Sequence, residues 1–228
     1  MALRPPLWTD RLQAGLALAD AFADCQGRGR DTTLLALPRG GVPVAAAMAA
    51  RLELPLATWS VRKIADPAWP ELAIGAVAAG GVVVWRNGQG ASRRAASAEQ
   101  HGWLRAQEQE LRRRQRRFGD PPGERLRGRH LIVVDDGIAT GMTMKAALIS
   151  LRRVAPASLA LGVPVVDRGA ARDLGRWVDR LEALAVVDDL QAVGLWYERF
   201  EQLQDGEVLA LLQPPLGHTD SAPDRIHS

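Results

Sequence analysis

The sequence predicts an α/β fold in which a mostly parallel central sheet is flanked by helices. Three observations predict it. Short apolar, partly β-branched runs recur at 33–37, 56–61, 131–134 and 158–165, the length of strands. Segments with helical spacing separate them, at 12–23, 42–52 and 142–153. Clusters of Gly and Pro punctuate the boundaries, as at Pro38-Arg39-Gly40-Gly41 and Pro121-Pro122-Gly123. Strands alternating with helices form a sheet covered on both faces, and such sheets bind ligands beyond the carboxyl ends of their strands.

The elements follow in order. Leu12 to Ala23 has helical periodicity, and Gly27-Arg28-Gly29 ends it. Thr33 to Leu37 is a strand, and Val42 to Leu52 is a helix whose small residues suit close approach to a sheet. Leu56 to Val61 is read as one further strand. Ile74 to Val77 and Val82 to Trp85 flank Ala78-Ala79-Gly80-Gly81 and read as a hairpin. Asn87 to Ser92 is a flexible loop that leads into one long basic helix, Ala98 to Phe118. Leu131 to Val134 is a strand, Met142 to Arg153 a helix, Ser158 to Val165 a strand and Leu184 to Val187 another. The expected organisation is a single domain over 1–216, with hairpin, loop and basic helix at 65–118, a small C-terminal hood and a frayed tail at 217–228.

Composition narrows the function classes. The chain has 228 residues, 47% hydrophobic and 24% charged, an ordinary globular balance large enough for a substantial core. No apolar run has the length of a membrane span, and no signal-like apolar segment follows Met1-Ala2-Leu3-Arg4, so a cytoplasmic location is expected. Cys25 is the single cysteine, which excludes an intramolecular disulfide and a cysteine-built zinc site. The net charge of +3 does not by itself imply nucleic acid. Positive charge is nonetheless concentrated at Arg105 and Arg112-Arg113-Arg114-Gln115-Arg116-Arg117, which form either a solvated helix face, a polyanion-binding face or a cover for a phosphorylated substrate.

The chemistry centres on Ile132 to Met144. An apolar strand ends in Asp135 and Asp136, then passes through a glycine-flanked loop into a helix start. Successive backbone amides of such a loop, at Gly137, Ile138, Ala139, Thr140 and Gly141, can surround a phosphate, with hydroxyls from Thr140 and Thr143 as added donors. Adjacent aspartates on a strand face opposite ways. Carboxylates beside a phosphate site repel the anion unless they address hydroxyls or a bound Mg²⁺. A phosphorylated ribose satisfies both demands.

The run Val133-Val134-Asp135-Asp136-Gly137-Ile138-Ala139-Thr140-Gly141-Met142-Thr143 closely resembles the phosphoribosyl pyrophosphate (PRPP) motif of type I phosphoribosyltransferases. Ala36 to Ala45, Val61-Arg62-Lys63 with Pro70 to Val77, and Ala192 to Tyr197 resemble a less characterised branch of that family. The resemblance implies a Mg²⁺-dependent transfer of phosphoribosyl between PRPP and a nitrogenous base, with release of diphosphate. It places the acidic pair, Asp135 and Asp136, on the ribose hydroxyls, directly or through the metal, with Lys63 in the catalytic set. Arg39, Gly40, Gly41, Arg62 and Lys63 then hold the diphosphate, and the Arg39 loop is a place where the family uses a cis peptide. Glu71 is a candidate partner of Lys63 or of the substrate. Val165, Trp196 and Tyr197 are candidates for the wall of the acceptor pocket, although for these aromatics packing is the competing role.

The partners implied are PRPP and a nucleobase-like molecule, in a homodimer. Two other functions remain open on sequence grounds: a PRPP-sensing regulator that uses the basic helix on nucleic acid, and a phosphosugar hydrolase built on Asp135 and Asp136. Against the first, the helix lacks the interleaved aromatics of a base-stacking surface.

Overall fold

A computed structural model describes residues 5–66, 69–88 and 90–213. Its main sheet has the strand order β2-β1-β6-β7-β8, where β1 is Thr32–Ala36, β2 Leu56–Thr58, β6 His130–Val134, β7 Ser158–Asp167 and β8 Arg180–Val187. Every neighbouring pair in it is parallel, as expected from the sequence. The physical reason is coverage of both faces. All five residues of β1 are buried, so neither face meets water. Leu34 and Ala36 point to one side, against α1 (Arg11–Asp20) and α2 (Gly41–Leu52) through Leu18, Phe22, Val44 and Met48. Leu35 and Leu37 point to the other, where Leu148 and Leu151 of α5 (Met142–Arg152) lie. Helix α1 approaches α2 so closely at Gly15 that a Cβ there would collide with Val44 and Ala47.

Several boundaries differ from the sequence expectation. The run at 56–61 is two strands: β2 stays in the main sheet, and after a corner at Trp59-Ser60 the chain enters β3 (Val61–Asp66). With β4 (Trp69–Ala78) and β5 (Val82–Trp85), β3 makes a separate antiparallel sheet in the order β3-β4-β5. The expected hairpin is present inside it, turning through Gly80 and Gly81 at positive φ. Asp120 fixes the corner by accepting from Thr58 Oγ1 (2.6 Å), Ser60 N (2.6 Å) and Ser60 Oγ (3.0 Å).

The basic helix is also divided. Gly102, at φ 73°, separates α3 (Ala91–Gln100) from α4 (Trp103–Phe118), and α3 begins inside the stretch expected to be loop. Between β7 and β8 lies α6 (Arg168–Leu174), absent from the sequence reading, whose cap Asp167 accepts from Gly169 N and Ala170 N. Strand β8 starts four residues earlier than expected, because β7 offers it a partner from Ala160 onward. A last helix, α7 (Asp205–Leu212), packs on α2. The tail at 217–228 lies outside the described residues, as does the side chain of Glu71.

Candidate functional site

Strand order alone creates a crevice. From β1 the chain runs through α2 to β2, outward on one side of the sheet, and from β6 through α5 to β7, outward on the other. Because α2 and α5 lie on opposite faces, the loops that follow the neighbouring strands β1 and β6 part from each other. These are the loops at 37–41 and 135–141, which the sequence singled out.

Backbone meets backbone where the loops diverge. Leu37 N donates to Val134 O (3.0 Å), and Gly41 lies against Val134 O and Asp135 Cα with no space for a Cβ. A Cβ on Gly40 would overlap the Asp136 carboxylate. The peptide Pro38–Arg39 is cis. The amide of Gly41, expected to meet the diphosphate, donates instead to Leu37 O (3.0 Å). The Arg39 guanidinium stands 3.7 Å from Asp205 Oδ1.

Both aspartates lie beyond the last residue of β6, so the strand alternation expected of them does not apply, and their carboxyl groups interact with each other. Asp135 Oδ1 accepts from Asp136 N (2.9 Å), bracing the loop from within. Asp136 Oδ2 accepts from Arg11 Nε at 2.7 Å, an ion pair whose side chains are only 14% and 11% exposed. Arg11 also donates to Glu201 O (3.1 Å) and stacks 3.7 Å over Phe200. Burial, then the neighbouring Asp136 charge, raises the Asp135 carboxyl well above its ordinary value. Burial raises Asp136 too, and Arg11 opposes that rise.

The phosphate loop is pinned at its middle. Ile138 N donates to Val165 O (2.9 Å), its carbonyl accepts from Asp167 N (2.9 Å), and its side chain is buried. Ile138 is therefore an anchor, and its expected amide contact with phosphate is corrected. Gly137 is pressed on Val193 and Val165, and Thr140 is exposed. Gly141 takes φ 71° as the N-cap of α5 and supplies no side-chain cap. The first intrahelical acceptor is Gly141 O, taken by Lys145 N, so the amides of Met142, Thr143 and Met144 have no partner within the helix. An uncapped helix start behind two carboxylates is suited to a ligand that is anionic at one end and hydroxylated at the other.

Arg62 and Lys63 leave opposite faces of β3. Arg62 donates twice to Gln107 Oε1 of α4 (3.1 and 3.0 Å). Lys63 is exposed and opposite Ala76, which belongs to the cluster shared with α5, so Lys63 lies on the side of the phosphate loop. Beside that loop is a cavity of about 290 Å³ lined by Asn87, Thr140, Lys145 and Asp173 among others.

Of the acceptor residues expected at 165, 196 and 197, two are buried. Val165 is fully buried and Tyr197 is 4% exposed, packed with Trp8 and Phe200. The Tyr197 hydroxyl donates to Asp136 O (2.5 Å), so this aromatic supports the acidic loop from below. Trp196 is half-buried in the same cluster, and its carbonyl accepts from Leu7 N and Trp8 N. Sequence reasoning missed Arg11, Gln107 and Lys145. Only Lys145 carried a signal, a cation one turn into the helix that follows the motif. Among the described residues, no group of three or more His, Cys, Asp or Glu side chains is placed to hold a metal.

Comparison with known proteins agrees with this geometry. The family model described as the phosphoribosyl transferase domain matches residues 10–182. Two curated Mycobacterium tuberculosis proteins, named "Putative phosphoribosyl transferase" Rv0571c and MT0597, are each 38% identical over 207 residues, which is 90% of this chain and 46% of theirs. The chain thus spans about half the length of the curated relatives it matches. The crystal structure of TT1426 from Thermus thermophilus is 36% identical with a TM-score of 0.69, covering 90% of this chain and 97% of that one.

Proposed function

The chain belongs to the phosphoribosyl transferase family, and from that premise we propose that it moves a phosphoribosyl group between PRPP and a nitrogenous base. The observation that carries the reading is the crevice between β1 and β6, where an uncapped helix start, two carboxylates and an arginine loop meet. The 5′-phosphate rests on the amides from Ala139 to Thr143, apart from those already engaged. Asp135 and Asp136 accept from the ribose hydroxyls, and Arg39 with Gly40 receives the diphosphate.

In the reaction the lone pair of a base nitrogen forms a bond to C1 of the ribose as the C1–O bond breaks. The bonding electrons leave with diphosphate, and the nitrogen's proton passes to solvent. Positive character builds on the ribose ring, where the neighbouring carboxylates stabilise it. Exclusion of water from the crevice favours the base over hydrolysis.

Mg²⁺ fits this site as an ion carried by the substrate. The chain offers it two carboxylates, one of them paired with Arg11, and Mg²⁺ characteristically binds through one or two carboxylates plus phosphate oxygens and waters. When bound, it offsets the charge of the diphosphate.

The test is calorimetric titration with PRPP and Mg²⁺, followed by a screen of free bases for diphosphate release. Saturable PRPP binding and release with one class of base are expected. Binding without turnover on any base would move the reading to sensing, and release from a phosphosugar without a base would move it to hydrolysis. No binding of PRPP would overturn it.

A further inference from the structure

Helix α4 carries two separate arginine faces. At 3.6 residues per turn, Gln107, Glu110, Arg114 and Arg117 fall in one sector beside the buried Leu111 and Phe118. Arg105, Arg112 and Arg116 fall on the opposite, exposed side. The first row is tied to the candidate site at both ends. Gln107 holds Arg62 of β3, and at the other end Asp205 stands between Arg117 Nε (3.9 Å) and Arg39 Nη1 (3.7 Å). In the middle, Glu110 accepts from Arg113 (2.7 Å) and Arg114 (3.2 Å). The row therefore runs from β3 to the loop at 38–41.

Its charge is not balanced by its own acids. Five guanidiniums, of Arg39, Arg62, Arg113, Arg114 and Arg117, face the carboxylates of Glu110 and Asp205. Arginine does not give up its proton in a protein, so the row keeps a surplus of positive charge that suits an added anion. Both Asp205 contacts exceed hydrogen-bond length, which leaves donors of Arg39 and Arg117 open. Burial, and next the nearby Arg114, make the charge on Arg62 costlier than usual, as expected of a site poised for a negative group.

We propose that Arg114 and Arg117 of α4, together with Arg39 and Arg62, form the second wall of the diphosphate subsite. This rests on the transferase reading above and deepens it. The loop at 38–41 meets the diphosphate on one side, and the α4 row takes its remaining oxygens as charge gathers on the departing group. Arginine suits this because its planar fork matches phosphoryl oxygens in pairs.

The test uses calorimetric binding of inorganic diphosphate, PRPP and ribose 5-phosphate to the full chain. Arg114→Gln and Arg117→Gln are each expected to weaken diphosphate and PRPP by roughly tenfold while leaving ribose 5-phosphate unchanged, which also shows that the variants are folded. Arg112→Gln, on the exposed face, is expected to stay within about twofold of the wild type. Asp205→Asn should act in the opposite sense and tighten diphosphate, because it removes a competing carboxylate. Wild-type affinity for diphosphate in both row variants, or an equal loss in Arg112→Gln, overturns the proposal and leaves the transferase reading standing. Failure of the wild type to bind either diphosphate or PRPP overturns both.

Discussion

Asp135 carries a cost that its position explains. Its carboxyl is raised above the ordinary value by burial first and by Asp136 second. A raised folded value means that the folded state holds this proton more tightly than the unfolded chain does. The associated stability is complete below the ordinary carboxylate range and is lost as pH rises through the folded value. Asp135→Asn keeps an acceptor for Asp136 N and removes the ionisable group. The variant is therefore expected to melt higher than the wild type near pH 8, the gap closing near pH 4, while transferase turnover falls by about a hundredfold or more. Thermal melts at both pH values check this, and a wild type as stable as the variant at pH 8 would contradict it. Gly40→Ala is expected to act on the same group from outside, since its methyl would occupy the space of the Asp136 carboxylate. Loss of PRPP binding with folded-state circular dichroism intact is the expected outcome. At this scale the sequence disclosed Asp135, Asp136 and the glycine loop, because loop and carboxylates are consecutive. It did not disclose Arg11, 125 residues from its partner. Tyr197 was legible as an aromatic and misleading as a pocket wall, because nothing local shows that its hydroxyl is already used by Asp136 O.

At the scale of elements, α4 carries ion pairs along its own length beside its apolar edge. Glu110 is lowered from 4.5 to about 2, by the hydrogen bond from Arg113 first and also by that from Arg114. Its depressed folded value gives a contribution that is complete above the ordinary glutamate range and is lost as pH falls from 4.5 toward about 2. Melting temperatures of the wild type should accordingly drop across that window, and Glu110→Gln should flatten this part of the profile. An unchanged acid limb in the variant would assign the loss to other carboxylates. Element boundaries were legible where a local device sets them, as at Gly119, which ends α4 at positive φ. They were hidden where tertiary contacts set them. No local signal separates β2 from β3, because the corner depends on Asp120, distant in sequence from Thr58 and Ser60.

For the whole molecule, that corner joins two sheets. Asp120 is half-buried, and loss of solvent raises its carboxyl despite three donors from Thr58 and Ser60. Asp120→Ala leaves those donors unanswered and is expected to lower unfolding free energy by about 2–4 kcal/mol, with Asp120→Asn costing less because an acceptor remains. Urea unfolding of the two variants measures the difference. The parallel sheet was readable from buried strands alternating with helices, since burial on both faces leaves largely apolar runs at Leu34 to Leu37 and in β7. The small antiparallel sheet was only half readable: β4 and β5 are adjacent in the chain, whereas β3 owes its place to the corner. The absence of any side chain between Gly41 and the end of β6 has one more consequence. A rotamer change cannot absorb movement where main chain touches main chain, so displacement of either loop is passed on to its neighbour. Filling one half of the crevice should then bias the other, and thermodynamic reciprocity requires the effect to be equal in both directions.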